Sequence, residues 1–200
     1  MPAELALPRN LFIIGTVNVD ETTYMFSPKV LDRANVIEFR ATAAQLGAFL
    51  DEPRRLQLDA LSGGGAAYGE ALVQLAAQEV DLAALGEANA TTLKAALLEV
   101  FGVLAEQGAE FGFRSAYEMA RFVVIHKQLC EQNWTLADAL DAQVLQKLVP
   151  RLHGSARKLE KVLTDLDTFC AKHALPDSRE KIARMQRRLQ ADGFASFAEN

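Results

Sequence analysis

The chain has 200 residues, of which 50% are hydrophobic and 24% charged, with a net charge of −5. This composition is ordinary for a globular protein with enough apolar material for a core, and it excludes a disordered chain. The longest apolar runs, such as Leu11–Ile14 and Phe122–Ile125, are far shorter than the roughly 20 residues of a membrane span. Met1–Leu7 lacks the features of a secretory signal, so we expect a cytoplasmic protein without membrane contact.

The basic residues concentrate in the second half of the chain. One cluster comprises Arg179, Lys181, Arg184, Arg187 and Arg188. Such clusters are usually solvated helix faces, and the overall acidity argues against autonomous DNA binding, although an oligomer could line a channel with them. We therefore expect contact with DNA to be indirect at most.

The first forty residues are typical of a strand, a helix and a second strand. Asn10–Val17 contains the apolar run Leu11–Ile14, which predicts a strand buried on both faces of a parallel sheet. Ser27-Pro28 supplies a cap and a first-turn proline for a short helix to about residue 34, and Val36–Phe39 predicts a second strand. Two strands cannot form a stable sheet, so we expect the rest of it in an upstream segment, the alternative being local packing of another kind.

From Thr42 onward the pattern is helical and predicts a mainly α fold. Helices are expected at about 43–52, 66–85, 91–107, 115–132, 136–149, 155–173 and 178–191. Ser115, Thr135 and Asp177 each stand three residues before an acidic residue, which fits the capping box or its acidic variant.

Cys130 and Cys170 lie among apolar residues at helical spacing, which favours buried free thiols over a disulfide. The three histidines show no ligand spacing with each other or with the cysteines. The sequence therefore predicts no metal site in this chain.

Asn18 follows the predicted buried strand, at the sheet edge where ligands of open α/β sheets bind. A carboxamide there can orient a water molecule against a terminal phosphate, because it offers both a donor and an acceptor. The alternative is an asparagine that only forms the turn after the strand.

Arg33 lies at the end of the predicted short helix. A guanidinium supplied by a neighbouring subunit can neutralise charge on a transferring phosphoryl group. The alternative is a helix-terminal arginine that pairs with Asp32 or Glu38 or with the helix dipole.

Arg114 directly precedes Ser115, at a predicted helix N-terminus. An arginine and a helix N-terminus that converge on one point suit a bound anion such as phosphate. The alternative is a solvent-facing arginine near Glu110 or Glu118.

These three residues lie in the first three of five distinctive segments. The segments are Gly15–Asn18, Phe26–Arg33, Phe111–Glu118, Leu145–Ser155 and Asp192–Phe197. Together they resemble the McrB type of AAA+ nucleotide-hydrolysing motor over residues 8–40 and about 108–198. The resemblance implies a strand–helix–strand remnant of the AAA+ α/β core in residues 1–40, a helical insertion or linker in 41–107, and a helical lid in 108–200.

In that family the asparagine is the first sensor, the arginine of the short helix is the trans-acting finger, and the arginine that opens the lid is the second sensor. The resemblance thus gives Asn18 and Arg33 catalytic roles and gives Arg114 a role in nucleotide binding. It also implies ATP or GTP with Mg²⁺ in the complete motor, a hexamer, and a nuclease subunit as a candidate partner. DNA specificity in the family comes from an N-terminal module.

The chain contains no G-x-x-x-x-G-K-[ST] phosphate-binding motif. Asp20-Glu21 follows the sensor asparagine, whereas the Mg²⁺-binding acidic pair of this fold ends an earlier strand. We therefore expect hydrolysis only when another polypeptide supplies the P-loop. Val19–Thr23 differs from the Thr-Ala-Asp-Arg-Ser usual in the restriction branch, so the nucleotide and the nuclease partner stay open.

Two other interpretations remain. In the first, the chain is a non-enzymatic helical remnant or adaptor that binds a protein partner. In the second, it is a fragment of the MoxR-type chaperone branch, which shares the sensor, finger and lid arrangement.

Overall fold

The computed structural model of the chain describes residues 8, 10–16, 27–55 and 57–197. Within them the fold is mainly α-helical with one two-stranded sheet, which confirms the predicted fold class. The helices are α1 (Pro28–Leu31), α2 (Ala43–Asp51), α3 (Gly69–Ala77), α4 (Glu87–Ala105), α5 (Phe113–Cys130), α6 (Leu136–Gln143), α7 (Ala156–His173) and α8 (Pro176–Asp192). Strands β1 (His153–Ser155) and β2 (Phe194–Ser196) pair antiparallel, with Gly154 opposite Ala195.

The chain divides into two compact units, the first comprising residues 1–16 and 37–78 and the second residues 17–36 and 79–200. In the first unit, α2 begins at a capping box: the Gln45 amide donates to Thr42 Oγ1 at 3.2 Å, and the Thr42 amide donates to Gln45 Oε1 at 2.9 Å. Neither α2 nor α3 contains a buried residue, so local hydrogen bonding rather than burial defines these helices.

The second unit holds a large hydrophobic core, to which α4 to α8 all contribute. α7 has the clearest amphipathic pattern, with a buried stripe that recurs at helical spacing. The stripe comprises Leu159, Val162, Leu163, Leu166, Phe169 and Cys170. α7 ends at His173 and is followed by Ala174, whose φ of 56° lies in the left-handed region. The chain then turns into α8, against which α7 packs.

Among the described residues, one helix, α4, is long and apolar enough by composition to cross a membrane. Its buried side chains, however, belong to the core of the second unit; they are Leu93, Ala96, Val100 and Leu104. Glu99 on the same helix pairs with Lys172 and His173 of α7. We therefore interpret α4 as a core helix of this bundle.

The prediction of two strands near the start is wrong for this chain. Leu11–Ile14 and Val36–Phe39 both lie outside any strand, and Ile13 and Ile14 are 87% and 90% exposed. A strand requires a neighbouring strand for its backbone groups, and the one sheet among the described residues, β1 with β2, includes neither segment. Only the short helix between them, α1, forms as predicted, although it ends at Leu31.

Several helix boundaries also differ from the predictions. The helix expected over 66–85 is broken into a 3₁₀ turn, α3 and a second 3₁₀ turn at Leu82–Leu85. The helix expected over 136–149 is α-helical only to Gln143, after which Val144–Leu148 forms a π-helical turn. α5 begins at Phe113, so Ser115 lies inside the helix and is not its cap.

The predicted boundary at residue 107 falls inside the second unit. α4 lies before that boundary, yet it packs against α7, which lies after it. A 3₁₀ turn at Leu82–Leu85 packs against both α4 and α5. Residues 79–107 therefore share a core with the predicted lid.

Candidate functional site

Two of the three predicted site residues lie in the described part of the second unit, and Asn18 lies outside it. Arg33 follows α1 and is exposed, and its Nη1 donates to the Lys29 carbonyl at 2.9 Å. Arg114 is the second residue of α5 and is also exposed.

The structure connects the neighbours of these two arginines through Arg151. Arg151 Nη2 donates to Asp32 Oδ1 at 2.5 Å and to Ser115 Oγ at 2.8 Å, and Ser115 Oγ lies 3.4 Å from the same carboxylate oxygen. The Arg151 side chain is 10% exposed and the Asp32 side chain 41% exposed, so this ion pair is partly buried and less screened by salt than a fully exposed one. The residue before Arg33 and the residue after Arg114 are thus tied to one guanidinium.

A second cation holds the other side of Arg33. Lys147 Nζ donates to the carbonyl of Ala34 at 3.0 Å, and Lys147 is 2% exposed. Close by, the Val36 amide donates to the carbonyl of Gln146 at 2.9 Å. We call Lys147 and Arg151 the clamp pair, because they bind the residues on either side of Arg33.

The backbone around the clamp pair departs from a regular helix. The Val149 amide donates to the Val144 carbonyl, which closes a π turn, and a 3₁₀ turn over Val149–Arg151 follows. Pro150 lacks an amide hydrogen and cannot continue an α-helical ladder. Arg151 in turn fixes this turn, because its Nε donates to the Lys147 carbonyl at 3.2 Å. π turns are frequent at functional sites.

Arg151 also reaches the segment before α5, where its Nη1 donates to the Glu110 carbonyl at 3.3 Å. The guanidinium therefore contacts the end of α1, the loop entering α5 and the first turn of α5. A planar guanidinium with several fixed donors suits such a three-way junction, which a lysine could not reproduce.

Burial lowers the pKa of Lys147, since taking an ammonium out of water disfavours its charged form. Glu118 and Asp32 act in the opposite direction, whereas the positive charges of Arg151 and Arg114 lower the pKa further. Arg114 is therefore close enough to Lys147 to act on it electrostatically, although its own side chain is exposed.

Neither Lys147 nor Arg151 is predicted as a site residue from the sequence, although both lie in Leu145–Ser155, one of the five segments that carry the family resemblance. Lys147 stands where an α-helical pattern places buried positions, between Val144 and Leu148, and a lysine there reads as an interruption. Arg151 directly follows Pro150, between two predicted helices. The i, i+4 spacing of two cations beside this proline is a further signal that could have identified them.

Within the described part of the chain, no group of three or more His, Cys, Asp and Glu side chains could hold a metal ion. The polar side chains at the clamp pair are two cations, one carboxylate and one hydroxyl, namely those of Lys147, Arg151, Asp32 and Ser115. This set suits contact with an anion better than coordination of Mg²⁺.

Comparison with known proteins gives one family. Residues 61–194 match the model of a family described as a domain of unknown function, DUF8727. No curated protein and no solved structure matches the chain. The matched range contains Arg114, Lys147 and Arg151, whereas Asp32 and Arg33 precede it.

Proposed function

This chain belongs to the DUF8727 family, and we propose that it is the C-terminal part of a McrB-type AAA+ motor. In this proposal Arg33 acts as a finger on the nucleotide of a neighbouring subunit, and Arg114 senses the phosphates from the lid. Another polypeptide supplies the P-loop and the residues that hold Mg²⁺. The complete motor is a cytoplasmic oligomer that hydrolyses ATP or GTP.

The single observation that carries the proposal is the junction at Arg151. Asp32 and Ser115 are far apart in sequence, and each adjoins an exposed arginine. A solvent-facing arginine that binds no ligand gains little when its neighbouring residues are fixed in place, because exposed ion pairs contribute little to stability. Support of this kind fits two guanidiniums whose placement matters for a ligand.

The chemistry of phosphoryl transfer matches these two groups. The protein contributes mainly by positioning and by neutralising charge on the transferred group, and an arginine is the usual residue for that task. Arg114 also lies in the first turn of α5, where the helix dipole favours an anion. An arginine in that place is disfavoured unless an anion accompanies it.

The apolar segment at the start supports the need for a second polypeptide. Leu11–Ile14 has the composition of a buried strand, yet Ile13 and Ile14 are almost fully exposed. A parallel sheet brought by another polypeptide would cover this segment and supply its hydrogen bonds. The same exposure would serve a non-enzymatic adaptor, which is the competing function.

The proposal is tested by co-expressing the chain with the P-loop half of a McrB-type motor and measuring ATP and GTP hydrolysis. We expect hydrolysis that neither polypeptide shows alone. Arg33→Ala should reduce turnover by about 10³-fold or more while nucleotide binding persists, and Arg114→Ala should weaken nucleotide affinity. Arg187→Ala, another exposed arginine, is the matched control and should have no effect.

The adaptor interpretation makes the opposite prediction for this experiment. A stable complex that neither binds nor hydrolyses nucleotide would replace the motor by an adaptor. Light scattering on the eluting complex would then give the number of partner copies bound.

A further inference from the structure

We infer that Lys147 and Arg151 are positioning residues that hold the Arg33 segment and couple it to the first turn of α5, which carries Arg114. This inference rests on the proposed function, because it assigns a role to residues that contact no nucleotide. The structural half of it concerns this chain alone and can be tested without a motor.

The Arg33 segment cannot hold itself in place. α1 has four residues, and a helix of that length is not stable in isolation. Within the segment, Leu31 is buried at 5% exposure, but the bonds of Arg33 to other described residues are local: its Nη1 donates to the Lys29 carbonyl and its amide to the Val30 carbonyl. The direction in which Arg33 leaves the surface must therefore be set by contacts from outside the segment.

The clamp pair supplies those contacts on both sides of Arg33. Arg151 binds the Asp32 carboxylate at 2.5 Å, and Lys147 binds the Ala34 carbonyl at 3.0 Å. The Val36 amide adds a bond to the same turn, at the Gln146 carbonyl. Three attachments, at alternate residues from Asp32 to Val36, leave the backbone at Arg33 little freedom, whereas its side chain stays exposed.

Packing alone does not explain Lys147. An ammonium at 2% exposure with one carbonyl acceptor carries a desolvation cost, and a methionine of similar length would fill the space without it. The π turn that presents this lysine is itself an unfavourable backbone conformation compared with a regular helix. Both features are expected where a position serves function rather than stability.

Coupling follows from the way Arg151 shares its donors. Nη2 binds both Asp32 and Ser115, so a shift of the first turn of α5 changes a bond that also holds the Arg33 segment. Nη1 binds the Glu110 carbonyl in the segment that leads into α5. Movement of Arg114 towards a phosphate would therefore be transmitted to Arg33 through one guanidinium.

The first test measures amide hydrogen exchange in the full chain without nucleotide. Lys147→Met and Arg151→Met should accelerate exchange of the amides of residues 31–36 by at least about 10-fold, while those of α7 and α8 stay protected. Lys158→Met, which changes an exposed lysine on α7, is the matched control and should leave residues 31–36 unchanged.

Asp32→Ala guards against a clamp variant that fails to fold, because this side chain is 41% exposed and Arg151 keeps its bonds to Ser115, Glu110 and Lys147. It removes the oxygen that accepts from Arg151, so it should accelerate exchange in the same residues. Unchanged exchange in residues 31–36 in both Asp32→Ala and Lys147→Met would overturn the inference.

The second test uses the complete motor. Asp32→Ala and Arg151→Met should lower kcat by about 10²-fold, as expected for a displaced catalytic group, with little change in nucleotide affinity. If Arg33→Ala abolishes turnover but these variants do not lower kcat, the coupling is wrong. If the wild-type motor shows no turnover, the proposed function fails, and the exchange experiment alone decides whether the clamp pair holds the segment.

Discussion

Ser178 in α8 donates two hydrogen bonds to Asp141 in α6: its amide donates to Asp141 Oδ1 at 2.8 Å, and its Oγ donates to the Asp141 carbonyl at 3.0 Å. The Asp177 amide donates to the other carboxylate oxygen, also at 2.8 Å. One buried carboxylate thus satisfies two free amides at the start of α8, where the helix dipole also favours a negative charge.

We therefore expect Asp141→Asn to destabilise the protein by about 1–3 kcal/mol, because a carboxamide offers one acceptor oxygen where two are used. Urea unfolding followed by circular dichroism measures the difference. Asp177→Asn, an exposed acidic residue in the same first turn, is the matched control and should cost less than about 1 kcal/mol. Equal losses in the two variants would show that Asp141 does not act as the cap.

The start of α8 shows why a cap is hard to predict from local sequence. Asp177 stands three residues before Glu180 and was predicted to cap the helix, but α8 begins at Pro176 without a side-chain cap of its own. The capping carboxylate comes from Asp141, which is remote in sequence. Local patterns identify a helix start but not a donor or acceptor brought by packing.

Where the cap is local, the prediction is confirmed. Thr135 Oγ1 accepts from the Asp138 amide at 3.0 Å at the start of α6. Ser115 has the same local pattern, yet its hydroxyl bonds to Arg151 and lies beside Asp32. At Ser115, hydrogen-bond partners that are remote in sequence therefore outweigh the local preference for helix capping. This residue belongs to the candidate site.

An apolar sequence pattern predicts burial correctly only where this chain also contains the element that packs against it. The apolar stripe of α7 is buried, because α4 and α8 pack against that helix. Leu11–Ile14 has an equally strong apolar pattern and is exposed. The composition of a segment indicates that it is favourable to bury, but it does not indicate which polypeptide covers it.

Acid should weaken the contact between α4 and α7 at Glu99. Lys172 Nζ donates to this carboxylate at 2.9 Å and His173 Nε2 lies 3.0 Å from it, and these bonds, that of Lys172 foremost, hold the pKa of Glu99 below its ordinary value of 4.5. A carboxylate whose pKa is lower in the folded state stabilises the fold above its unfolded pKa. That contribution is lost as the pH falls through the folded value.

Glu99→Gln is therefore expected to cost about 0.2–1 kcal/mol at pH 7, the range for a partly exposed ion pair. The difference between variant and wild type should shrink as the pH is lowered below 4.5. Urea unfolding at pH 7 and at acidic pH measures it, with Glu160→Gln on the exposed face of α7 as the control. A difference that does not change with pH would contradict the assignment.

The two cysteines should differ in reactivity. Both are free thiols, but Cys170 is fully buried in the stripe of α7, and burial raises the pKa of its thiol to about 12. Cys130 is half-buried at the end of α5. Because the thiolate is the reactive form, a disulfide reagent at pH 8 should modify one thiol per native chain and both after denaturation.

Cys130→Ser provides the control for this experiment. In that variant the native chain should show no rapidly reacting thiol, and one thiol should appear on denaturation. Rapid modification of Cys170 in the folded variant would mean that the core around α7 opens far more readily than its burial indicates.

Gln143 is expected to be a site where substitution raises stability. It is the last residue of α6, directly before the π turn, and it is fully buried with no hydrogen-bond partner for either amide atom among the described residues. A buried amide without partners costs about 1–3 kcal/mol relative to an apolar group of the same shape. Gln143→Met keeps the length of the side chain and removes both polar atoms, so the midpoint of urea unfolding should rise.

Gln143→Ala separates the effect of polarity from that of volume, because it removes the amide but also leaves a cavity. This variant should gain less stability than the methionine variant, or lose stability. A methionine variant less stable than wild type would show instead that the amide is satisfied, with buried water as the natural partner at a helix that changes from α to π geometry.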